Sequence, residues 1–383
     1  MSEDLTQLRT EIDEIDGQLV ELFRRRMEIS RDVAAYKKAN GLPTLDAGRE
    51  RALLAKVAEL SGEPLAGYAQ SVFRAIMAAS RSYQDRCSGK TSKVYESIRA
   101  AMAETGDLFP QQATVACQGV EGAYSQIACD QMFKTPSILY FDTFDHVFRA
   151  VERGMCQYGI LPIENSTAGS VNAIYDLMTR HDFSIVRSAR LKVSHDLLAR
   201  PGVKREDIRE IFSHEQAIRQ CANYLTSFPN AKITYVENTA MAARLVAQSG
   251  RTDAAALSSR ACGQVYGLEV LEPSVQDQDN NYTRFICISK RTEIYPGADR
   301  TSLMMTLPHR PGALYQVLSS FYALGINLRK LESRPIPDRE FEFVFYFDLE
   351  CSVYAPEMEA LFRDLEGSCE QLRYLGTYNE VVF

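Results

Sequence analysis

The chain has 383 residues, a formal net charge of −7 and a pI near 5.5. That length allows two or three domains with substantial cores, and the acidic balance argues against a nucleic-acid or anionic-membrane partner. Nine cysteines without CxxC pairing read as reduced thiols of a cytosolic protein. The polar N-terminus reads as no signal peptide, so none is expected, and no apolar run approaches transmembrane length.

The first predicted element is a long helix. Leu5, Leu8, Ile12, Ile15, Leu19, Leu22, Ile29, Val33 and Tyr36 recur at three- and four-residue spacing, the contact stripe of a packed helix. The gap in that stripe is Arg26. A guanidinium there needs either a buried acidic partner or an anionic ligand. Lys37 lies eleven residues on, about 16 Å along nearly the same face. Asn40-Gly41-Leu42-Pro43 stops the helix. Asp46 is placed to cap a second helix whose first turns carry Arg49 and Glu50. A third helix from about Pro64 carries Ser80 and Gln84 on one face. Two short helices cannot cover so long a stripe, so dimerisation is expected.

LRTEIDEIDGQLVELFRRRMEISRDVAAYK, PTLDAGRERALL and IMAASRSYQD resemble the all-helical chorismate mutase family over about residues 3 to 86. The resemblance implies that Arg26 and Arg9 bind the two carboxylates of chorismate. It gives Lys37 and Gln84 the ether oxygen that breaks, and it gives Asp46, Arg49, Glu50 and Ser80 the ring and its hydroxyl. Arg9 and Arg26 are about 25 Å apart on one helix, too far for one small molecule. Arg9 then comes from the other subunit, in keeping with the family's intertwined dimer. A pericyclic rearrangement needs no nucleophile, so cationic clamps and donors suffice.

A Ser-, Gly- and Lys-rich linker at 89–112 separates this 1–88 domain from the next. Short β runs then alternate with helices: 113–117, 137–141, 158–163, 183–193, 231–236, 253–258 and 284–289. That order predicts an α/β domain over 113–290. Four polar clusters follow these strands: GVEGAYSQIA, PIENSTAGSV, SHEQAIRQC and NYTRF. Each alone is an ordinary cap or turn; four together suggest a cleft for a small polyanion. No Ser-His-Asp, metal-ligand, GxGxxG or P-loop arrangement is present, so neither metal nor cofactor is expected.

These clusters, above all Thr283-Arg284-Phe285 and Pro162-Ile163-Glu164-Asn165, resemble prephenate dehydratase. The resemblance implies a two-lobed fold similar to type 2 periplasmic binding proteins, and loss of water and carbon dioxide to give phenylpyruvate. Thr283 is expected at the leaving hydroxyl as donor or through a water. Asn165, Ser166, Thr167, Ser213, Gln216 and Gln220 are expected to bind prephenate, and Arg284 to meet a carboxylate. His214, beside a helix start, reads as a cap in preference to an acid, with Glu164 a candidate partner for it.

Residues 299–383 read strand, helix, strand, strand, helix, strand, a ferredoxin-like βαββαβ order, with Phe341, Phe343, Phe345 and Phe347 alternating on one face. Here the resemblance is to ACT domains. Gly312-Ala313-Leu314 and Glu332-Ser333-Arg334-Pro335 match the phenylalanine-sensing motifs of dehydratases, which implies phenylalanine bridging two such domains across a dimer. The whole chain is thus expected to be a cytoplasmic, feedback-inhibited mutase–dehydratase, a homodimer or a higher oligomer.

Overall fold

The computed structural model describes residues 5–336 and 342–383. Four helices open the chain: α1 (Leu5–Ala39), α2 (Ala47–Ser61), α3 (Ala66–Cys87) and α4 (Lys93–Glu104). α1 ends where the sequence directs it. Gly41 takes a φ of 63° and the Leu42 N–H returns to Lys37 O at 2.9 Å. Asp46 caps α2 by accepting the Arg49 N–H at 2.9 Å. α1 packs on α3, with Ser30 and Ala34 the buried residues of α1 and Met77 and Ser80 those of α3. The apolar stripe lies elsewhere on α1 and is bare: Ile15 is 55%, Leu22 62% and Ile29 56% exposed.

The chain forms two compact units, Met1–Glu96 with Pro356–Ser368, and Ser97–Ala355 with Cys369–Phe383.

Three sheets build the second unit. The chain order is β1 (Thr114–Gln118), α5 (Tyr124–Met132), β2 (Ser137–Phe141), α6 (Phe144–Glu152), β3 (Tyr158–Asn165), β4 (Gly169–Ser170), α7 (Asn172–Met178) and β5 (Ser184–Lys192). Then come β6 (Asp196–Ala199), β7 (Glu210–Ser213), α8 (Glu215–Gln220), α9 (Ala222–Leu225), β8 (Lys232–Tyr235), α10 (Thr239–Gln248), β9 (Ala254–Ser258), α11 (Arg260–Tyr266), β10 (Glu269–Glu272) and β11 (Tyr282–Ser289). Last are β12 (Arg300–Thr306), α12 (Ala313–Ala323), β13 (Asn327–Pro335), β14 (Phe343–Glu350), α13 (Met358–Ser368), β15 (Gln371–Tyr378) and β16 (Glu380–Val382).

The large lobe has the order β16-β5-β11-β3-β1-β2, with β4 folded back on β3; the small lobe is β10-β6-β9-β7-β8. The chain crosses between these lobes twice, from β5 to β6 and from β10 to β11. The third sheet, β13-β14-β12-β15, has the strand order of a ferredoxin-like fold. α13, the second helix of that order, belongs to the helical unit, where Asp364 accepts from Ser82 at 2.7 Å and Phe362 stacks on Tyr95.

The large sheet is covered on both faces. α5 packs on one with Val115, Ile160, Phe285 and Cys287. On the other, α6 and α7 share a core with Leu161, Ile163, Ile286 and Ile288, joined by Met304, Val344 and Tyr346 of the third sheet. The opposite side of the third sheet meets α12, where Phe347 packs edge-on to Phe321 at 5.6 Å. Phe343 is 40% exposed, and Phe341 lies outside the described residues. The sequence reading missed β6, β7, β10 and β16, each only three or four residues long, too short to display a period.

Candidate active sites

In the helical unit Arg26 Nη1 donates to the Ser80 hydroxyl, which passes its own proton to Ile76 O at 2.9 Å. Among the described residues no carboxylate pairs with Arg26, so the acidic-partner alternative is not the one this fold adopts. Burial pulls the guanidinium below the usual arginine value. Its remaining donors are open to an anion.

Glu50 pairs with Arg81, the neighbour of Ser80. Lys37 Nζ donates to Thr44 O at 2.5 Å, and Thr44 donates to Asp85 at 2.7 Å, beside Gln84. Gln84 Oε1 is buried with no partner, a cost of about 1–3 kcal/mol until something satisfies it. These contacts tie Arg26, Glu50 and, through Thr44, Lys37 to the stretch of α3 that also carries Ser80 and Gln84. Asp46 is committed to its cap, Arg49 is exposed, and Arg9 sits exposed near the far end of α1. Sequence reasoning missed Arg81 and Thr44. Arg81 was one residue from a chosen position, but nothing local marks it as a partner of Glu50.

In the second unit Asn165 and Thr283 are directly opposed on β3 and β11. Their pairing depends on a bulge: Arg284 opposes Glu164 while Phe285 opposes Pro162, leaving Ile163 as an extra residue. Strict alternation from Leu161 and Ile163 would set Asn165 on their face. The extra residue reverses the parity and gives Asn165 the face of Thr283.

The hydrogen-bond polarity around this pair is fixed by the backbone. Asn165 Oδ1 accepts the N–H groups of Thr167 and Ala168 at 3.1 and 2.9 Å, together with the Thr167 hydroxyl at 2.7 Å. Its amide nitrogen therefore donates, to Asn281 Oδ1 at 2.8 Å and to Thr283 Oγ1 at 2.9 Å. Asn281 Nδ2 then faces Gln220 Oε1 at 3.0 Å, and Gln220 Nε2 donates to Thr167 Oγ1 at 2.8 Å. His195 joins this ring from outside by donating Nε2–H to Gln220 Oε1 at 3.0 Å. Thr283 accepts from Asn165 and, among the described residues, has no acceptor for its own proton.

Ser166 is bound to the same segment, donating to Asn280 O at 2.8 Å and accepting from the Tyr282 N–H at 2.9 Å. Gln216 lies half-buried at the start of α8. Two expected binders stand apart. Ser213 is fully buried and gives its proton to Leu257 O at 2.7 Å. Arg284 points to the face opposite Thr283, donating to Asp348 at 2.6 Å and Tyr378 at 2.8 Å, because successive strand residues alternate sides. The carboxylates it meets are the protein's own. His214 is a cap, its Nδ1 accepting the Gln216 N–H at 3.2 Å. Glu164 is not its partner; Glu164 pairs with Lys330 at 2.8 Å. His195 was missed, since a buried His carries no spacing signal; Asn281 opens the NYTRF cluster but was given no role of its own. Burial holds the His195 pKa below the usual histidine value, so the ring is neutral.

The expected effector residues occupy two elements. Gly312 begins α12 at a φ of 83°, followed by Ala313, buried, and Leu314. Glu332 to Pro335 lie on edge strand β13, whose exposure alternates. Ser333 and Pro335 are exposed; Glu332 accepts from Ser170 at 2.5 Å, and Arg334 binds Asp176 at 2.8 and 3.0 Å, both on the large-lobe side.

The chorismate mutase type II sequence model matches residues 8–85, and the prephenate dehydratase model matches 115–293. The bifunctional chorismate mutase/prephenate dehydratase of Escherichia coli K12 is 30% identical over 98% of this chain and 96% of its own length. An arogenate dehydratase/prephenate dehydratase 2 of Arabidopsis thaliana is 39% identical over 69% of this chain and 72% of its own. A solved prephenate dehydratase from Arthrobacter aurescens, in complex with L-Phe, superposes with a TM-score of 0.64 at 28% identity. It covers 69% of this chain and 89% of its own. Among the described residues no helix is long and apolar enough to cross a membrane.

Proposed function

This chain belongs to the bifunctional chorismate mutase/prephenate dehydratase family, and from that premise we propose how its residues divide the work. The protein converts chorismate to prephenate, and prephenate to phenylpyruvate with release of water and carbon dioxide. The mutase step takes place at Arg26, Lys37, Glu50, Ser80 and Gln84, completed by Arg9 of a second copy. Support comes from the unpaired donors of Arg26 and the bare stripe of α1. Lys37 and Gln84 lower the barrier by donating to the ether oxygen as charge develops on it.

The dehydratase step takes place at Thr283 and the amides around it. The observation that carries this reading is the Thr283 hydroxyl, held as an acceptor by Asn165 with its own proton uncommitted. In the reaction the ring–carboxylate bond breaks, its electron pair aromatises the ring, and the ring hydroxyl leaves. Thr283 hydrogen-bonds that hydroxyl as it departs. A threonine is too weak an acid to be the net proton source, so water delivers the proton. Asn165, Ser166, Thr167, Gln216 and Gln220 hold the substrate. Ser213 and Arg284 are left out of the contact set because their polar atoms are engaged elsewhere.

The third sheet with α12 is an ACT-type sensor for phenylalanine, supported by the ferredoxin-like strand order and by the L-Phe carried by the Arthrobacter relative. Composition supports a cytoplasmic location. The test is to incubate purified protein with chorismate, with and without phenylalanine, and to quantify prephenate and phenylpyruvate over time. Phenylpyruvate that falls on adding phenylalanine is expected. Prephenate accumulating alone would remove the Thr283 site, and untouched chorismate with turnover of supplied prephenate would leave the helical domain a dimer clamp.

A further inference from the structure

One lysine touches both strands of the hairpin that carries Asn165, and it belongs to neither. β3 and β4 pair antiparallel, Glu164 opposite Ser170 and Asn165 opposite Gly169, so residues 166–168 form the turn. That turn bears the Thr167 hydroxyl and the two backbone N–H groups that set the polarity of Asn165. At its base Lys330 Nζ, from β13, lies 2.8 Å from Glu164 Oε1 and donates to Ser170 Oγ at 2.8 Å. The ammonium also lies 5.6 Å from the centroid of the Tyr175 ring. Ser170 in turn donates to Glu332 at 2.5 Å.

The side chain of Lys330 is only 13% exposed, so its charge is spent on this hairpin and little on solvent. The bulge explains why the contact can exist. Glu164 and Arg284 share the face that receives the third sheet, while Asn165 and Thr283, one residue along each strand, share the other. Each strand therefore shows the third sheet an ion-paired residue, Glu164 to Lys330 and Arg284 to Asp348, directly beside its dehydratase residue.

We propose that Lys330 is a positioning residue for the dehydratase site, lent by the third sheet, and that through it the sheet's effector governs the Asn165–Ser170 hairpin. The governing part rests on the phenylalanine-sensing reading; the positioning part does not. In an effector-bound sheet a displacement of β13 draws Glu164 and Ser170 with it. The turn then leaves the register in which Asn165 meets Thr283.

The experiment compares Lys330→Met and Lys330→Arg with wild type in the full chain. Steady-state kinetics on supplied prephenate are run with and without phenylalanine, and phenylalanine binding is measured by calorimetry. In Lys330→Met, KM for prephenate is expected to rise about fivefold with kcat held within about twofold, since the loss is of loop order and not of a reacting group. Saturating phenylalanine should then leave at least about half of the activity, although it binds within about threefold of its wild-type affinity. Lys330→Arg, which keeps the charge, should return both properties toward wild type. If Lys330→Met has the KM and the inhibition curve of wild type, the proposal is wrong and the sensor reading stands. If inhibition and phenylalanine binding disappear together, Lys330 is an effector ligand and the proposal is equally overturned. If wild type itself neither binds nor responds to phenylalanine, the sensor reading fails, and KM alone judges the positioning role.

Discussion

A backbone decides the chemistry of Thr283 through one intervening amide. The N–H groups of Thr167 and Ala168 leave Asn165 no choice but to offer its nitrogen to Thr283, and the threonine proton stays free. Thr283→Val keeps the shape of the side chain and removes the hydroxyl. Dehydratase kcat is expected to fall about 10²–10³-fold, the usual effect of losing one donor aimed at developing charge, with mutase turnover unchanged. Thr283→Ser should keep most of the activity. A valine variant as fast as wild type on prephenate would remove Thr283 from the mechanism. The residue types were all legible in the sequence: amides and hydroxyls after strands, a guanidinium in an apolar seam. Their partners were not. Arg81 beside Glu50 and His195 beside Gln220 come from segments 31 and 25 residues away, a separation no local pattern encodes.

At the scale of the element, α1 is the clearest case of a helix whose sequence asks for more than its own chain supplies. Thirty-five residues extend about 52 Å, and α3 covers only the narrow face through Ser30 and Ala34. Leu22→Glu puts a charge on the bare stripe. Mutase turnover is expected to drop at least about tenfold, because the second copy that brings Arg9 no longer seats, while dehydratase turnover holds. Unchanged mutase activity would mean that one chain completes the site. Strand β7 carries a pH dependence of its own. Hydrogen bonds from the Thr234 hydroxyl and then the Arg251 guanidinium hold the Glu210 carboxyl at about 2, against an ordinary 4.5. The unfolded chain takes up this proton near 4.5 and the folded one only near 2. The stabilisation is therefore full above pH 4.5 and drains away as the pH falls toward 2. Glu210→Gln should lower the unfolding temperature at pH 7 and approach wild type by pH 3. A gap that stays constant with pH, measured by thermal melts, would sink the assignment.

For the whole molecule, the sequence by itself determined most of the longer helices and strands and what chemistry they carry. Periods of 3.6 and 2, glycine stops, the Asp46 cap and the motif residues are local properties, and helices and strands longer than five residues obey them. The same locality made the three family resemblances legible over most of the chain. Tertiary structure decided which groups meet. An extra residue at Ile163 sets Asn165 beside Thr283 and Glu164 beneath the third sheet, an outcome opposite to simple alternation. The packing of that sheet turned Arg284 from an expected substrate clamp into the partner of Asp348, and drew Lys330 to the hairpin base. It also grouped α13 with the helical unit. The reason is physical. A side chain's direction follows from its own backbone, but its partner follows from strand register and layer packing, which are fixed by residues far along the chain and by the sum of many small contacts.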